Sequence, residues 1–305
     1  MKTKLMWMGA LLLTALMVVP AGAQDKPAAR KVLLKEKHAA GVVVTEKSVE
    51  SMEGSITVSV GGQELQGAEQ SKGTEETTTE EISVGEDGSL TEARVSYIKE
   101  SKTKSEQKLG EPEFGEALES KGDKEGVVIL WKLDAKSGVW SAKFEKGEEN
   151  KDAKDVAKVL RKKQPFANPM MPGKEVAVGE GWEISEAALK EFMGEDDEMK
   201  VKEAKASCRL EEIIKKDGKE FAKVSFTISV LAQQANENLG DLDITMSNTG
   251  HYLFNIEAGR ADSVEMNVEF SFEKDVETEN GKLKVAYKGK GKQTHTFTWA
   301  KKEGK

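Results

Sequence analysis

Apolar side chains recur at every second position through most of this chain, with polar residues between them. "SITVSV" places Ile56, Val58 and Val60 on one face and serine or threonine on the other. "SVEMNVEFSFE" sets Val264, Met266, Val268, Phe270 and Phe272 against Glu265, Asn267, Glu269 and Ser271, a period of two without a fault. Successive side chains leave a strand on opposite sides, so this alternation marks half-buried antiparallel strands. Burying the apolar set of that last stretch contributes roughly 7–15 kcal/mol before chain entropy is counted, which predicts a central strand. The same rhythm runs through Val224, Phe226, Ile228 and Val230, through Leu242, Ile244 and Met246, and through Tyr252, Phe254 and Ile256. Asp87-Gly88 and Asp217-Gly218 are hairpin signals, and Gly61-Gly62 ends a strand. "VWSAKFE" breaks phase between Val139 and Ser141 on one side and Trp140 and Phe144 on the other, which predicts a bulge or a strand end. Residues 108–126 read as a loop, and "KGKGK" reads as the turn of a last hairpin between "KLKVAY" and "QTHTFTW".

The centre differs. "NKDAKDVAKVLRKKQ" carries Val156, Val159 and Leu160 at helical spacing, with acids early and bases late as the helix dipole favours. Pro165, Pro169 and Pro172 then stop it. "SEAALKEFMG" predicts a second short helix, with Ser185 as N-cap, Leu189, Phe192 and Met193 buried, and Gly194 at its end. On either side of this junction a similar phrase occurs, "LWKLDA" at 130–135 and "LFNIEA" at 253–258. The fold these patterns predict is mainly β: two antiparallel meander units, curved sheets or half-barrels, related by duplication, with short helices at their junction. The expected organisation is 1–23 signal peptide, 24–40 flexible leader, 41–150 N-terminal β unit, 151–198 helical and proline-rich junction, and 199–305 C-terminal β unit.

The signal peptide rests on Lys2 and Lys4, an apolar run from Leu5 to Val19, and the small residues Ala21 and Ala23. The run is shorter than the roughly 20 residues a membrane span needs. With cleavage after Ala23, 46 basic residues less Lys2 and Lys4 leave 44 against 54 acids, a formal charge near −10. That acidity argues against nucleic acid, whose phosphates need clustered positive charge. No membrane span remains after cleavage, and the destination is periplasmic or secreted in a bacterium. Cys208, the one cysteine, shares strand parity with Leu210 and reads as a packing residue.

Catalytic constellations are sparse. His38 lies in the leader, His251 follows a glycine at a turn, and His295 shares parity with Phe297 and Trp299. No metal or cofactor motif is present: HExxH and clustered Cys/His are missing, and the acids at Glu195–Glu198, Asp241 and Asp243 lack calcium-loop spacing. "PGKEVAVGEGWEIS" resembles a P-x-K-x-V-x-V-G-[DE]-x-W signature of exported, β-rich bacterial proteins of unknown function, through Pro172, Lys174, Val176, Val178, Gly179, Glu180 and Trp182. That family often carries a late G-R turn, as "EAGRADS" does here; the resemblance implies a fold type and a compartment. Trp182 is expected to drop onto the sheet and pack.

Two readings follow for the face bearing Phe226, Tyr252, Phe254, Met266, Phe270 and Phe272. It is a filled core, or it is the concave wall of a groove for lipid or another apolar small molecule, as in sheet-and-helix lipid carriers. The leading functional reading is an exported, soluble, non-catalytic protein. Its alternatives are an envelope structural or interaction module with a protein partner, and a hydrolase using paired carboxylates. Protein recovered from its export compartment is expected to begin at Gln24. An intact mass retaining Met1–Ala23 would contradict the cleavage site.

Overall fold

The computed structural model describes residues 30–122, 124–147, 168–193, 199–236, 239–278 and 281–302. Its elements are β1 (Lys31–Leu33), β2 (Val42–Val60), β3 (Gln63–Val84), β4 (Leu90–Gln107), β5 (Leu118–Lys121), β6 (Val128–Leu133), β7 (Trp140–Lys146), β8 (Glu175–Ala177), β9 (Gly181–Ile184), α1 (Glu186–Met193), β10 (Met199–Lys216), β11 (Lys219–Gln234), β12 (Leu242–Asn255), β13 (Arg260–Thr278) and β14 (Gly281–Lys301). The signal segment, the predicted helix with Val156, Val159 and Leu160, and the acids Glu195–Glu198 lie outside the described residues.

The protein is mainly β. Twelve strands make one open antiparallel sheet in the order β7-β6-β4-β3-β2-β14-β13-β12-β11-β10-β9, with β5 beside β4. Each half is a meander, as the periodicity predicts. The halves share one sheet, however, because β2 pairs with β14 from Val42↔Lys301 to Val60↔Leu283. The seam therefore lies between the first long strand and the last, while the strands flanking the central region, β7 and β9, form the two outer edges. The strand end at Gly61-Gly62 is the β2–β3 turn, both glycines having positive φ (57° and 83°), and the Asp217-Gly218 hairpin signal is confirmed at β10–β11, where both residues do (52° and 76°). Both pairs suit the two-residue turns whose twist matches that of the strands. The phase break in "VWSAKFE" is a register shift, Ile129 pairing with Phe144 and Val128 with Lys146.

Register carries one set of side chains across the whole sheet. Cys208, Phe226, Gly250, Met266, Gln293, Glu50 and Gly73 form one such row. This inner side bears the two cores. One, at the β9–β12 end, contains Cys208, Leu210, Val224, Phe226, Tyr252 and Phe254. The other, at the β6–β7 end, contains Ala93, Ile129, Trp131 and Trp140. The outer side carries Ser, Thr, Lys and Glu, and ion pairs such as Lys284–Glu273 (2.6 Å) cross between neighbouring strands.

Four expectations are corrected. "KGKGK" is not a turn: β14 runs unbroken through it, and Lys288, Lys290 and Lys292 face outward opposite Ser271, Glu269 and Asn267. Gly289 and Gly291 instead leave room on the inner side for the Phe270 ring and the Met52 side chain, which a Cβ at either position would strike. Gly250, in the middle of β12, does the same for Phe226, whose Cζ would lie 2.8 Å from an added Cβ. The leader, second, is docked from Arg30 onward. β1 pairs with β8, Val32 opposite Val176, and Leu34 and Val176 are fully buried, because Val32 and Leu34 share one side of the segment while Lys31, Leu33 and Lys35 take the other. Third, the 108–126 stretch contains β5, paired with β4 from Ser101↔Lys121 to Lys104↔Leu118. Fourth, Phe192 on α1 is 48% exposed, whereas Leu189 is buried. Ser185 does cap α1, its Oγ accepting from the Ala188 N–H at 3.2 Å.

The ribbon β1–β8, α1 and the turn at Asn168–Gly173 form a small second layer over the inner side at the β9–β12 end. Trp182 packs there as expected, and its Nε1 donates to the Met170 carbonyl at 3.1 Å. Within the matched "PGKEVAVGEGW" stretch, Val176 receives the docked leader and Gly179, at φ 88°, makes the turn into β9. Gly289→Ala is expected to destabilise by about 1–3 kcal/mol through overpacking against Phe270. Urea denaturation measures this, and an unchanged midpoint would show that the ring does not need the glycine.

Candidate functional site

All six residues expected on one face do share the inner side, but they meet different surroundings. Phe226, Tyr252 and Phe254 are buried at 4%, 2% and 0% exposure beneath the second layer, so that part of the face is a filled core. Burial raises the Tyr252 hydroxyl well above the ordinary tyrosine range. Cys208 is in the same core, its thiol pushed up to about 12 by burial, which makes it unreactive. Met266 packs, half-buried, at the margin of this core. Phe270 and Phe272 lie nearer the seam and stack on Tyr287 with ring centroids 5.2 and 5.7 Å away. Tyr287 lies over Gly54 and its hydroxyl donates to Glu69 on β3. That hydrogen bond leads the causes that lower the Glu69 carboxyl, with Lys104 adding to it at 3.0 Å.

One open part of the inner side is a hollow of about 260 Å³ at the seam, near the start of β2. Its apolar walls are Val44, Leu90, Val264, Phe297 and Trp299, contributed by β2, β4, β13 and β14. Its polar rim is Glu36, His38, Glu81, Asn168 and Arg260. Arg260 and Glu81 belong to β13 and β3, with β14 and β2 between them, about 14 Å of flat sheet. Their side chains nevertheless meet in a bidentate pair, Nη1 to Oε1 at 2.9 Å and Nη2 to Oε2 at 2.7 Å. His38 Nδ1 donates to Oε1 at 2.7 Å and the Ala39 N–H to Oε2 at 2.8 Å. Four bonds thus fill the acceptor sites of a carboxylate that is 2% exposed. Burial alone would raise Glu81; the bonds from His38, Arg260 and Ala39 outweigh it and hold it at about 2.

Glu36 behaves in the opposite way. Burial raises its carboxyl, Glu81 adds to the rise, and His38, Asn168 and Arg260 oppose it. Asn168 Nδ2 donates to it at a long 3.4 Å. A second hollow of about 530 Å³ adjoins the first and shares Glu36, His38 and Leu90 with it, so the docked leader forms the partition between them.

No protein-family model matches the chain, and no curated protein matches its sequence. Similar solved structures include lipovitellin, studied for its lipid–protein interactions, at TM-score 0.43 and 10% identity over 88% of this chain and 26% of that one. The chain thus spans about a quarter of the lipovitellin length. The COG4313 outer membrane channel from Pseudomonas putida F1 has TM-score 0.21 and 9% identity, covering 87% of this chain and 98% of that one. A DUF1329 family protein from Desulfovibrio piger ATCC 29098 has TM-score 0.15 and 9% identity, covering 84% and 87%.

Among the described residues no group of three or more His, Cys, Asp or Glu is placed to hold a metal ion, and no helix is long and apolar enough to cross a membrane. His295 lies on the inner side beside Phe297, as its parity predicts, with Nδ1 2.8 Å from Glu46 Oε1. A larger hollow, about 650 Å³, is lined mainly from the outer side by Thr245, Ser247, Glu269, Ser271, Lys288 and Lys290. Phe114 and Phe270 add apolar surface to it, and its Lys290 is paired with Glu53 at 3.5 Å.

Sequence reasoning did not single out Glu36, Glu81 or Arg260, and it assigned His38 to a loose leader. The available signal for Arg260 was the "EAGRADS" turn, and for the leader the Val32/Leu34 alternation. Glu81 contributes stability above the ordinary glutamate value of 4.5 that is lost as pH falls toward its folded value of about 2. Glu81→Gln is expected to cost about 3–5 kcal/mol at neutral pH, because Arg260 loses its buried partner. It should also flatten the acid limb of stability between about pH 5 and pH 2. Thermal melts across that range check both, and an acid limb identical to wild type would remove Glu81 as its source.

Proposed function

We propose that this protein is an exported, non-catalytic binding protein that holds a small apolar or amphiphilic molecule in the seam hollow between Trp299, Phe297, Val264, Val44 and Leu90. The observation that carries the reading is the contrast along one face. At the β9–β12 end the inner side is filled by a second layer, whereas at the seam a hollow of about 260 Å³ keeps apolar walls with polar groups gathered at one rim. Such a combination, a concave apolar surface with a few convergent polar groups, is the usual form of a small-molecule site. Phe297 and Trp299 are only half-buried, so burial against a ligand remains available to them.

A hydrolase reading needs a carboxylate free to accept a proton or attack substrate. Glu81 is committed on both oxygens to Arg260, His38 and the Ala39 N–H, which leaves Glu36 without a second free carboxylate among the described residues of the hollow and supports the binding reading over a paired-carboxylate one. Export rests on the N-terminal segment, and the resemblance to exported β-rich proteins agrees with it.

Isothermal calorimetry with eight-carbon amphiphiles of different head groups tests the reading. At least one is expected to bind saturably at one per chain, and Val264→Phe, which narrows the hollow, is expected to weaken it about tenfold or more. Saturable binding unaffected by Val264→Phe would place the ligand elsewhere, and no binding by any member would end the proposal.

A further inference from the structure

We infer that the ligand of the seam hollow presents an uncharged polar end, a hydroxyl, ether or amide, to Glu36 and Asn168. This rests on the binding reading above and narrows it to a chemical class.

The argument is an inventory of the charged groups that face the hollow. Arg260 spends Nη1 and Nη2 on Glu81 at 2.9 and 2.7 Å, and Glu81 has both oxygens filled. His38 is engaged through Nδ1 by the same carboxylate. Lys37 also borders the hollow, but its stem packs across Gly259 and its Nζ donates to the Glu257 carbonyl at 2.9 Å. Each of these groups already has a partner inside the protein. Among the described residues lining the hollow, a ligand carboxylate would find no unpartnered cation, and a ligand ammonium would meet Glu36.

Glu36 is poorly suited to hold that ammonium. Its surroundings disfavour the charged carboxylate, since burial and the neighbouring Glu81 both act against it. The hydrogen bond it accepts from Asn168 Nδ2 is 3.4 Å long. The Asn168 amide and the hydroxyl of Thr79 in the wall each donate and accept, and the Glu36 carboxyl accepts. These groups complement a neutral head. An ionic head of either sign would be stranded beside Val44, Phe297 and Trp299, or would have to displace a partner of the Arg260–Glu81 pair, and a hydroxyl avoids both penalties.

The test compares octan-1-ol, octanoate and octyltrimethylammonium at neutral pH, by calorimetry on the full exported chain. Their tails are equal, so the head decides. Octanol is expected to bind about tenfold or more tightly than either ion. Octanoate or the ammonium binding as tightly as octanol would overturn the inference and leave the hollow as a binding site. Failure of all three would overturn the hollow itself. Glu36→Gln, which still accepts, is expected to keep octanol binding, whereas Glu36→Leu weakens it about tenfold. Unchanged octanol affinity in Glu36→Leu would show that the head does not meet Glu36 and would overturn the assignment.

Discussion

The pairing of β2 with β14 is the contact on which the rest of the molecule depends. It converts two meanders into one sheet, and without it each would present a long, flat edge of unpaired amides and carbonyls. Backbone bonds alone do not secure it. Two side-chain clasps reach across the join on the inner side. Tyr287 crosses Gly54 to donate to Glu69, and Arg260 reaches over β14 and β2 to Glu81. The first clasp needs a glycine beneath a ring; the second needs a carboxylate kept from water by the docked leader. One is a packing device and the other an electrostatic one, and they secure different stretches of the same strand pair.

The candidate site is a by-product of the second clasp. A guanidinium and a carboxylate drawn together above β14 and β2 roof the sheet without filling the space beneath, and Val44, Phe297 and Trp299 are left as its floor. The polar cluster is therefore structural first. Its saturation leaves Glu36 and Asn168 at the rim, and Thr79 in the wall, with hydrogen-bonding capacity for a guest.

Much of the architecture was legible because period two is a strong signal when one side of a strand is wet. β13 shows this best: its apolar set pointed inward as read, and it lies inside the sheet between β12 and β14. The lengths of strands were not legible where glycine interrupts them. Gly289, Gly291 and Gly250 look like turn residues in one dimension, and only the partner strands reveal the ring or thioether that needs the missing Cβ. The pairing of the halves was also hidden, since periodicity states which side faces inward and not which strand lies next to which. The site was the least legible. Glutamates and lysines recur throughout a chain with 33% charged residues, so nothing local separates Glu81, with four bonds, from an exposed glutamate a few positions away. Its partners come from a leader, a turn and a distant strand.

The placement of the join has a consequence for how the chain acquires its form. β2 is the first long strand to be synthesised and β14 the last, so the central ladder of the sheet cannot close until nearly the whole polypeptide is present. Contacts of such long sequence separation slow folding, because the entropy of closing the chain is lost before they form. Until then β2 and its hairpin partner β3 have a bare flank, a hazard for self-association. Lysines and glutamates along the outer side of these strands, such as Lys47, Glu53, Lys72 and Glu76, are the kind of charge that disfavours edge-to-edge pairing.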